Sequence, residues 1–355
     1  MIKHLLKQVK KLFYFNKQEF KETIKNNSFI KQFDNQLIIN KYKKSLKTDE
    51  LFTENINSLI SNIETLNFLY NFDIREGNNI FKIHLLTTKE IYKTKELLDI
   101  NNYFFLIYQI IKIISFLFNK NRYREINYDI YFYLYDKPRT LFNQDLKDKS
   151  IFGLTKSNRF NCTCGYTSTF ENKIIITRKN HFSGLLIHEL MHLFNLDEKN
   201  NSLENDWRKI FYQTVNDKTK PGYFFEGITN FKACLLNIVI KYCFFDEKIK
   251  ISQLFEVEYL YSYYLCCKII KFFKAENYKD MTNIFMHNGS MFEYVFIKFL
   301  LLSDANIYNK NFKSLNINSN QIMQSLKTFD INFNNYRKTK KLFDNQQEII
   351  DYYFF

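Results

Sequence analysis

The run His188-Glu189-Leu190-Met191-His192 sets two imidazoles four residues apart, with a carboxylate beside the first. On an α-helix, residues i and i+4 share a face, about 40° apart in projection and roughly 6 Å apart along the axis, so both rings reach one ion. Glu189 is rotated by about 100° from His188, which takes it out of the ligand position and leaves it beside a water held by the ion. This is the donor pattern of catalytic zinc, which takes three protein ligands and keeps a fourth position for water whose pKa falls to about 7. The competing reading is an accidental or degenerate pattern. With only six histidines in the chain, independent placement gives it on the order of once in two hundred chains, which favours the metal reading.

Such a motif needs elements to hold it. Ile174-Ile175-Ile176 reads as a buried strand, and Gly184-Leu185-Leu186-Ile187 leads into the motif with apolar residues at helical spacing. Two histidines do not complete a catalytic zinc site, so a third donor is required. Glu226, in Phe224-Phe225-Glu226-Gly227-Ile228-Thr229-Asn230, lies 34 residues beyond His192 near the start of a second predicted helix and is the first candidate. A structural, ion-pairing role for Glu226 is the alternative. His181, seven residues before His188, falls about 10 Å away along the helix axis and is not read as a ligand.

At this point the chain resembles the gluzincin branch of zinc metallopeptidases, in which His-Glu-x-x-His is followed some tens of residues later by a glutamate on its own helix. The resemblance spans residues 103–241 and includes the order of backing helix, strand, hairpin, motif helix and glutamate helix. It implies a zincin-like core, Zn2+ as cofactor, a peptide or protein substrate, and Glu189 as the base that activates water. It also implies that Asn230, one turn after Glu226, orients a ligating histidine, and that His287, with Tyr294 in reserve, holds the developing oxyanion. By the same resemblance, an extended substrate adds to the edge of the hairpin strand at Gly165, Tyr166 and Thr167, where Gly165 permits close backbone approach and the Tyr166 ring, if turned toward the cleft, lines a side-chain site. A second zincin branch reads His-Glu-x-x-His-x-x-Gly-x-x-His, or Asp at the end. Here Asn195 stands at the Gly position, whose left-handed turn Asn tolerates, and Glu198 at the last, so Glu198 or Asp197 remains an alternative third ligand. The overall character is also similar to uncharacterised metallopeptidase-like proteins of large DNA viruses.

Composition bounds the rest. The 355 residues are 46% hydrophobic and 18% aromatic, enough to build large buried cores. Seven Gly and two Pro disfavour a fold of many tight turns and favour helices. The net charge of +14 is spread along the chain rather than gathered on one segment, which argues against a nucleic-acid partner. Cys162, Cys164, Cys234, Cys243, Cys266 and Cys267 lack a repeated spacing and read as thiols of a cytosol-like compartment. Lysines interrupt the apolar residues of the N-terminus, so no signal peptide is expected, and localisation is expected to be cytoplasmic, or virion or host cytosol for a viral protein.

Along the chain, Ile2, Leu5, Leu6, Val9, Leu12 and Phe13 form an apolar stripe on a basic helix, which either docks on its own domain or lies on a membrane surface. Residues 26–50 read as polar and irregular, 51–71 and 89–99 as helices, and 80–86 as a strand. Residues 102–118 are too short and too polar to cross a membrane and read as a buried helix. Strands are expected at 129–135, 164–169 and 173–178, a long helix at 224–240, and helices over 250–355 with a basic patch at Arg337, Lys338, Lys340 and Lys341. The expected organisation is α+β: a mostly helical region 1–100, a zincin-like core 101–245 with a small mixed sheet, and a helical region 246–355. Two other function classes stay open, a non-catalytic zincin-fold scaffold with a vestigial zinc site and, through the charge, a nucleic-acid binder.

Overall fold

The computed structural model describes residues 2–25, 31–33, 36–47, 63–88, 100–118, 126–134, 165–177, 181–196, 224–246, 248–272 and 290–303. The chain divides into two compact units, the first built on Val9–Asn195 and the second on Leu196–Tyr353 together with the N-terminal segment as far as Gln8. The described residues form seven helices and a six-stranded mixed sheet, an α+β arrangement.

The helices and strands up to Asn195, in chain order, are α1 (Ile2–Lys25), β1 (Lys31–Phe33), α2 (Gln36–Lys47), β2 (Phe68–Glu76), β3 (Asn79–Thr87), α3 (Ile100–Phe118), β4 (Ile126–Leu134), β5 (Gly165–Ser168), β6 (Lys173–Thr177) and α4 (Phe182–Leu193), all within the first unit except the start of α1 as far as Gln8. Spatial order in the sheet is β1-β2-β3-β4-β6-β5. The β3–β4 and β4–β6 pairs are parallel, and the other three pairs are antiparallel. A parallel pair needs a crossover, and α3 supplies it between β3 and β4. The β5–β6 pair is a hairpin whose turn holds Asn172 at φ 52, so β5 lies at one edge of the sheet.

Register decides which side chains share a face. Tyr70, Leu85, Phe132, Ile176 and Gly165 form one continuous row across β2, β3, β4, β6 and β5, and Phe72, Ile83, Ile130, Ile174 and Thr167 form the next row on that face. This face carries α3 and α4: Phe104 packs on Tyr70 and Phe72, with ring centroids 5.6 and 4.7 Å apart, and Phe182 packs on Phe132 at 6.2 Å. Tyr103 and Phe182 join the two helices at 5.2 Å. The opposite face buries Leu69, Leu86, Tyr133 and Ile175 with Ile39 of α2, Ile63 and Leu66.

Two sequence expectations are corrected here. Part of the helix expected over 51–71 is strand: residues 68–71 open β2, where Tyr70, Phe72 and Ile74 are buried and alternate with Asn71, Asp73 and Arg75. The period-two alternation, followed by Gly77 at φ 57, was the legible signal of a hairpin. The span 26–50, read as irregular, contains β1 and the helix α2, whose Ile39 and Lys43 are buried. Among the described residues, the first hundred supply three of the six strands alongside the helices α1 and α2. Residues 51–62 and 89–99 lie outside the described ones.

The basic helix α1 docks by its apolar stripe. Phe13 and Phe20 pack on Phe105 of α3 at 5.4 and 5.1 Å, the Asn16 amide donates to Gln109 Oε1 at 3.2 Å, and the Gln109 amide donates to the Phe13 carbonyl at 3.0 Å. Leu5, Val9 and Phe13 of that stripe are buried, and Ile2, Leu6 and Leu12 half-buried. No helix among the described residues is long and apolar enough to cross a membrane.

The second unit contains α5 (Phe224–Phe244), α6 (Ile251–Phe272) and α7 (Ser290–Ser303). Gly227 lets α5 and α7 approach, since a Cβ there would lie 2.5 Å from Cβ of Ile297. Tyr259 and Tyr263 of α6 pack on Phe299 of α7. A buried ion pair joins the same two helices: Lys298 Nζ is 2.5 Å from Glu258 Oε1, which also accepts from the Ser262 hydroxyl at 3.2 Å. Cys234, Cys243 and Cys266 are buried thiols. Residues 304–355, with the expected basic patch, and Cys162 and Cys164 lie outside the described ones.

Candidate metal centre

The motif occupies α4, which is fixed by its buried residues Phe182, Leu186, Ile187, Leu190 and Leu193 against α3 and the sheet. His181, at φ 65, starts the helix, and its carbonyl accepts from Leu185 N at 3.0 Å. At the other end, Asn195 turns left-handed at φ 52 and donates its backbone N–H to the His192 carbonyl at 2.9 Å. Asn195 therefore has the backbone conformation that the second zincin branch asks of its Gly. The ligand candidates of that branch, Asp197 and Glu198, lie outside the described residues.

The i, i+4 spacing brings His188 Nε2 and His192 Nε2 to 2.8 Å of each other, with ring planes at 75°. Both rings are half-buried. Glu226, in the first turn of α5, is half-buried as well. His188 and His192 belong to the first unit and Glu226 to the second; two imidazoles and a carboxylate are residues that could hold a metal ion. In a tetrahedral site with bonds of about 2.0 Å, donors stand about 3.3 Å apart, so the two imidazole nitrogens at 2.8 Å need only small side-chain rotations to take up two of its positions. Two imidazoles and one carboxylate are a donor set that zinc accepts, and other first-row ions of the imidazole-binding class accept it too.

Glu189 is buried at 7% exposure, one residue from a ligand candidate and rotated toward the edge strand. The Thr167 hydroxyl donates to its Oε2 at 2.6 Å and lies 3.0 Å from its main-chain carbonyl. Gly165 lies against the other carboxylate oxygen, and a Cβ at that position would stand 2.6 Å from Oε1. Sequence reasoning named Gly165 and Thr167 for substrate contact and missed their fit to Glu189. The pairing of a hairpin edge with a helix residue 22 positions later leaves no local signal.

The remaining expectations divide. Tyr166 is on the other face of β5, where its ring packs with the cluster of Ile39, Leu66, Leu69, Leu86 and Ile175. Alternation along a strand puts its neighbours, not its ring, beside Glu189. Asn230 is half-buried on α5, one turn after Glu226. The backbone of Tyr294 belongs to α7, but its side chain, like His287 as a whole, lies outside the described residues.

A polar cluster unforeseen in the sequence occupies the sheet face opposite α3 and α4. His84 Nδ1 is 3.0 Å from Asn71 Oδ1 and 3.2 Å from the Tyr42 hydroxyl, while its Nε2 is 3.3 Å from Asp129 Oδ1. The ring stacks on Tyr131 at 4.6 Å. The hydrogen bond from His84 holds the Asp129 carboxyl below the usual range against the opposing effect of burial, with further help from the charges of His84, Lys82 and Lys173. Burial, with the nearby Asp129 carboxylate adding to it, pushes the Tyr131 phenol up to about 12.

Comparison with known proteins adds one relative. An uncharacterized protein, R210, of Acanthamoeba polyphaga mimivirus is 23% identical over 345 residues, covering 88% of this chain and 85% of its own length. No protein-family model matches the chain. No solved structure matches it either.

Proposed function

We propose that this chain is a zinc-dependent peptidase with a zincin-like core, in which His188, His192 and Glu226 hold the metal and Glu189 serves as general base. The observation that carries the reading is the convergence of the two imidazole nitrogens at 2.8 Å on a helix whose next acidic residue is held at the sheet edge. The strand order supports it as well, because among the described residues β5 is an edge strand, with a side on which an extended peptide can add by backbone pairing.

When bound, zinc supplies Lewis acidity, polarising the scissile carbonyl and lowering the pKa of water to about 7. Glu189 takes the proton of the attacking water as its oxygen bonds to the carbonyl carbon. It then delivers that proton to the departing amide nitrogen as the carbon–nitrogen bond breaks. Burial of the Glu189 side chain keeps bulk water from competing for that proton.

The test is metal analysis of the purified protein with assay of a mixed peptide library. About one zinc per chain and cleavage that disappears in Glu189→Gln, with the zinc retained, is the expected result. A zinc-loaded protein that cleaves no peptide overturns the peptidase assignment.

A further inference from the structure

We propose that β5 sets the position of the Glu189 carboxylate through two residues acting in opposite ways: Thr167 binds one oxygen, and Gly165, by having no side chain, leaves the room that the other occupies. This deepens the peptidase reading of Glu189 and rests on it.

The geometry assigns different tasks to the two oxygens. The Thr167 hydroxyl has one proton and two acceptors in range, the carboxylate Oε2 at 2.6 Å and the Glu189 carbonyl at 3.0 Å. The shorter contact falls in the range of a charge-assisted bond, so the proton goes to Oε2. Oε1 is then the oxygen that takes the proton of the attacking water and releases it to the departing nitrogen. It lies against Gly165, where a methyl group would come within 2.6 Å of it, 3.0 Å of Cγ and 3.1 Å of Cδ. Residues 165 and 167 share a face because strand side chains alternate, so the same two-residue period supplies both restraints. Thr167 is a positioning residue: it acts on the reaction by fixing where the Glu189 carboxylate stands. An alanine at 165 meets the movable end of a side chain, so it relocates the carboxylate and leaves the strand in place.

The experiment uses the full chain in four variants: Thr167→Val, Thr167→Ser, Gly165→Ala and Glu189→Gln. Crystal structures of the metal-free proteins should show the Glu189 carboxylate displaced in Thr167→Val and Gly165→Ala and in place in Thr167→Ser. With zinc and a cleavable peptide, kcat should fall on the order of tenfold to a hundredfold in the first two, as expected for misplacement by about 1 Å, with KM within about twofold. The serine variant should return to within about threefold of the parent. An unmoved carboxylate in both Thr167→Val and Gly165→Ala overturns the inference, as does an unchanged kcat. Should the parent protein cleave no peptide, the peptidase reading fails, and the carboxylate positions still decide whether β5 fixes Glu189.

Discussion

Nε2 of His188 and Nε2 of His192 stand 2.8 Å apart, within hydrogen-bond distance of each other. The helix puts both rings on one face, four residues apart and anchored on both sides of the motif, and their rotamers bring the nitrogens together. Replacing either histidine by alanine should therefore abolish stoichiometric zinc binding while leaving the far-ultraviolet circular dichroism unchanged. Zinc retained by both single variants would remove the imidazoles from the site.

Glu226 and Glu198 make opposite claims on the third ligand position. Glu226→Ala should lower zinc affinity by more than the roughly 10- to 100-fold typical of a lost outer partner, and Glu198→Ala should leave it unchanged. Competition with a chelator of known affinity measures both. The reverse order would transfer the ligand role to the residues after Asn195.

The Asp129 carboxyl is held below its ordinary range by the hydrogen bond from His84, so the folded form binds its proton less readily than the unfolded chain does. The resulting stability is present above an unfolded carboxylate pKa of about 3.9 and is lost as pH falls through the lower folded value. Urea unfolding between pH 6 and pH 3 should accordingly show a shallower acid decline in Asp129→Asn than in the parent. Identical slopes would show that the His84 contact contributes nothing.

Lys241 titrates in the other direction. Burial pushes its amine down to about 7, with the Glu258 charge opposing the shift. An unfolded lysine keeps its proton to about pH 10.4, so between pH 7 and pH 10 the unfolded chain binds more protons and stability rises with pH. Lys241→Met should raise the melting temperature most at pH 6, by about 2–4 °C for each kcal/mol of relieved burial cost, and least at pH 9. A variant that melts lower at pH 6 would refute this.

Gly227→Ala should destabilise the helical unit by about 1–3 kcal/mol, because the new Cβ meets Cβ of Ile297 at 2.5 Å and that atom is fixed to its backbone. Ile297→Ala removes Cγ2 and Cδ1, which lie 2.6 and 2.9 Å from the same point, and retains the Cβ. The double variant should therefore recover part of the loss relative to the sum of the single changes, as read by chemical denaturation. Strict additivity would mean that the helices separate freely.

The sequence by itself determined what depends on short-range periodicity. The motif lies on a helix because its apolar residues recur at helical spacing, and the four-residue spacing puts His188 and His192 on one face of it. The β5–β6 hairpin, the strand β3 and the helix α3 were legible for the same reason, from runs whose period is set within a few residues. Where the local pattern was mixed, at 68–71 and in α2, the reading failed: Phe68 and Leu69 fit a helix as well as a strand until β3 pairs with them. Tertiary structure alone decided what Glu189 touches. Sheet register put Gly165 and Thr167 in rows facing α4 and sent Tyr166 to the opposite face, because a shift of one residue in pairing exchanges the two faces. It likewise gathered Tyr42, Asn71, His84 and Asp129 from four separate segments whose spacing in the chain has no period to read.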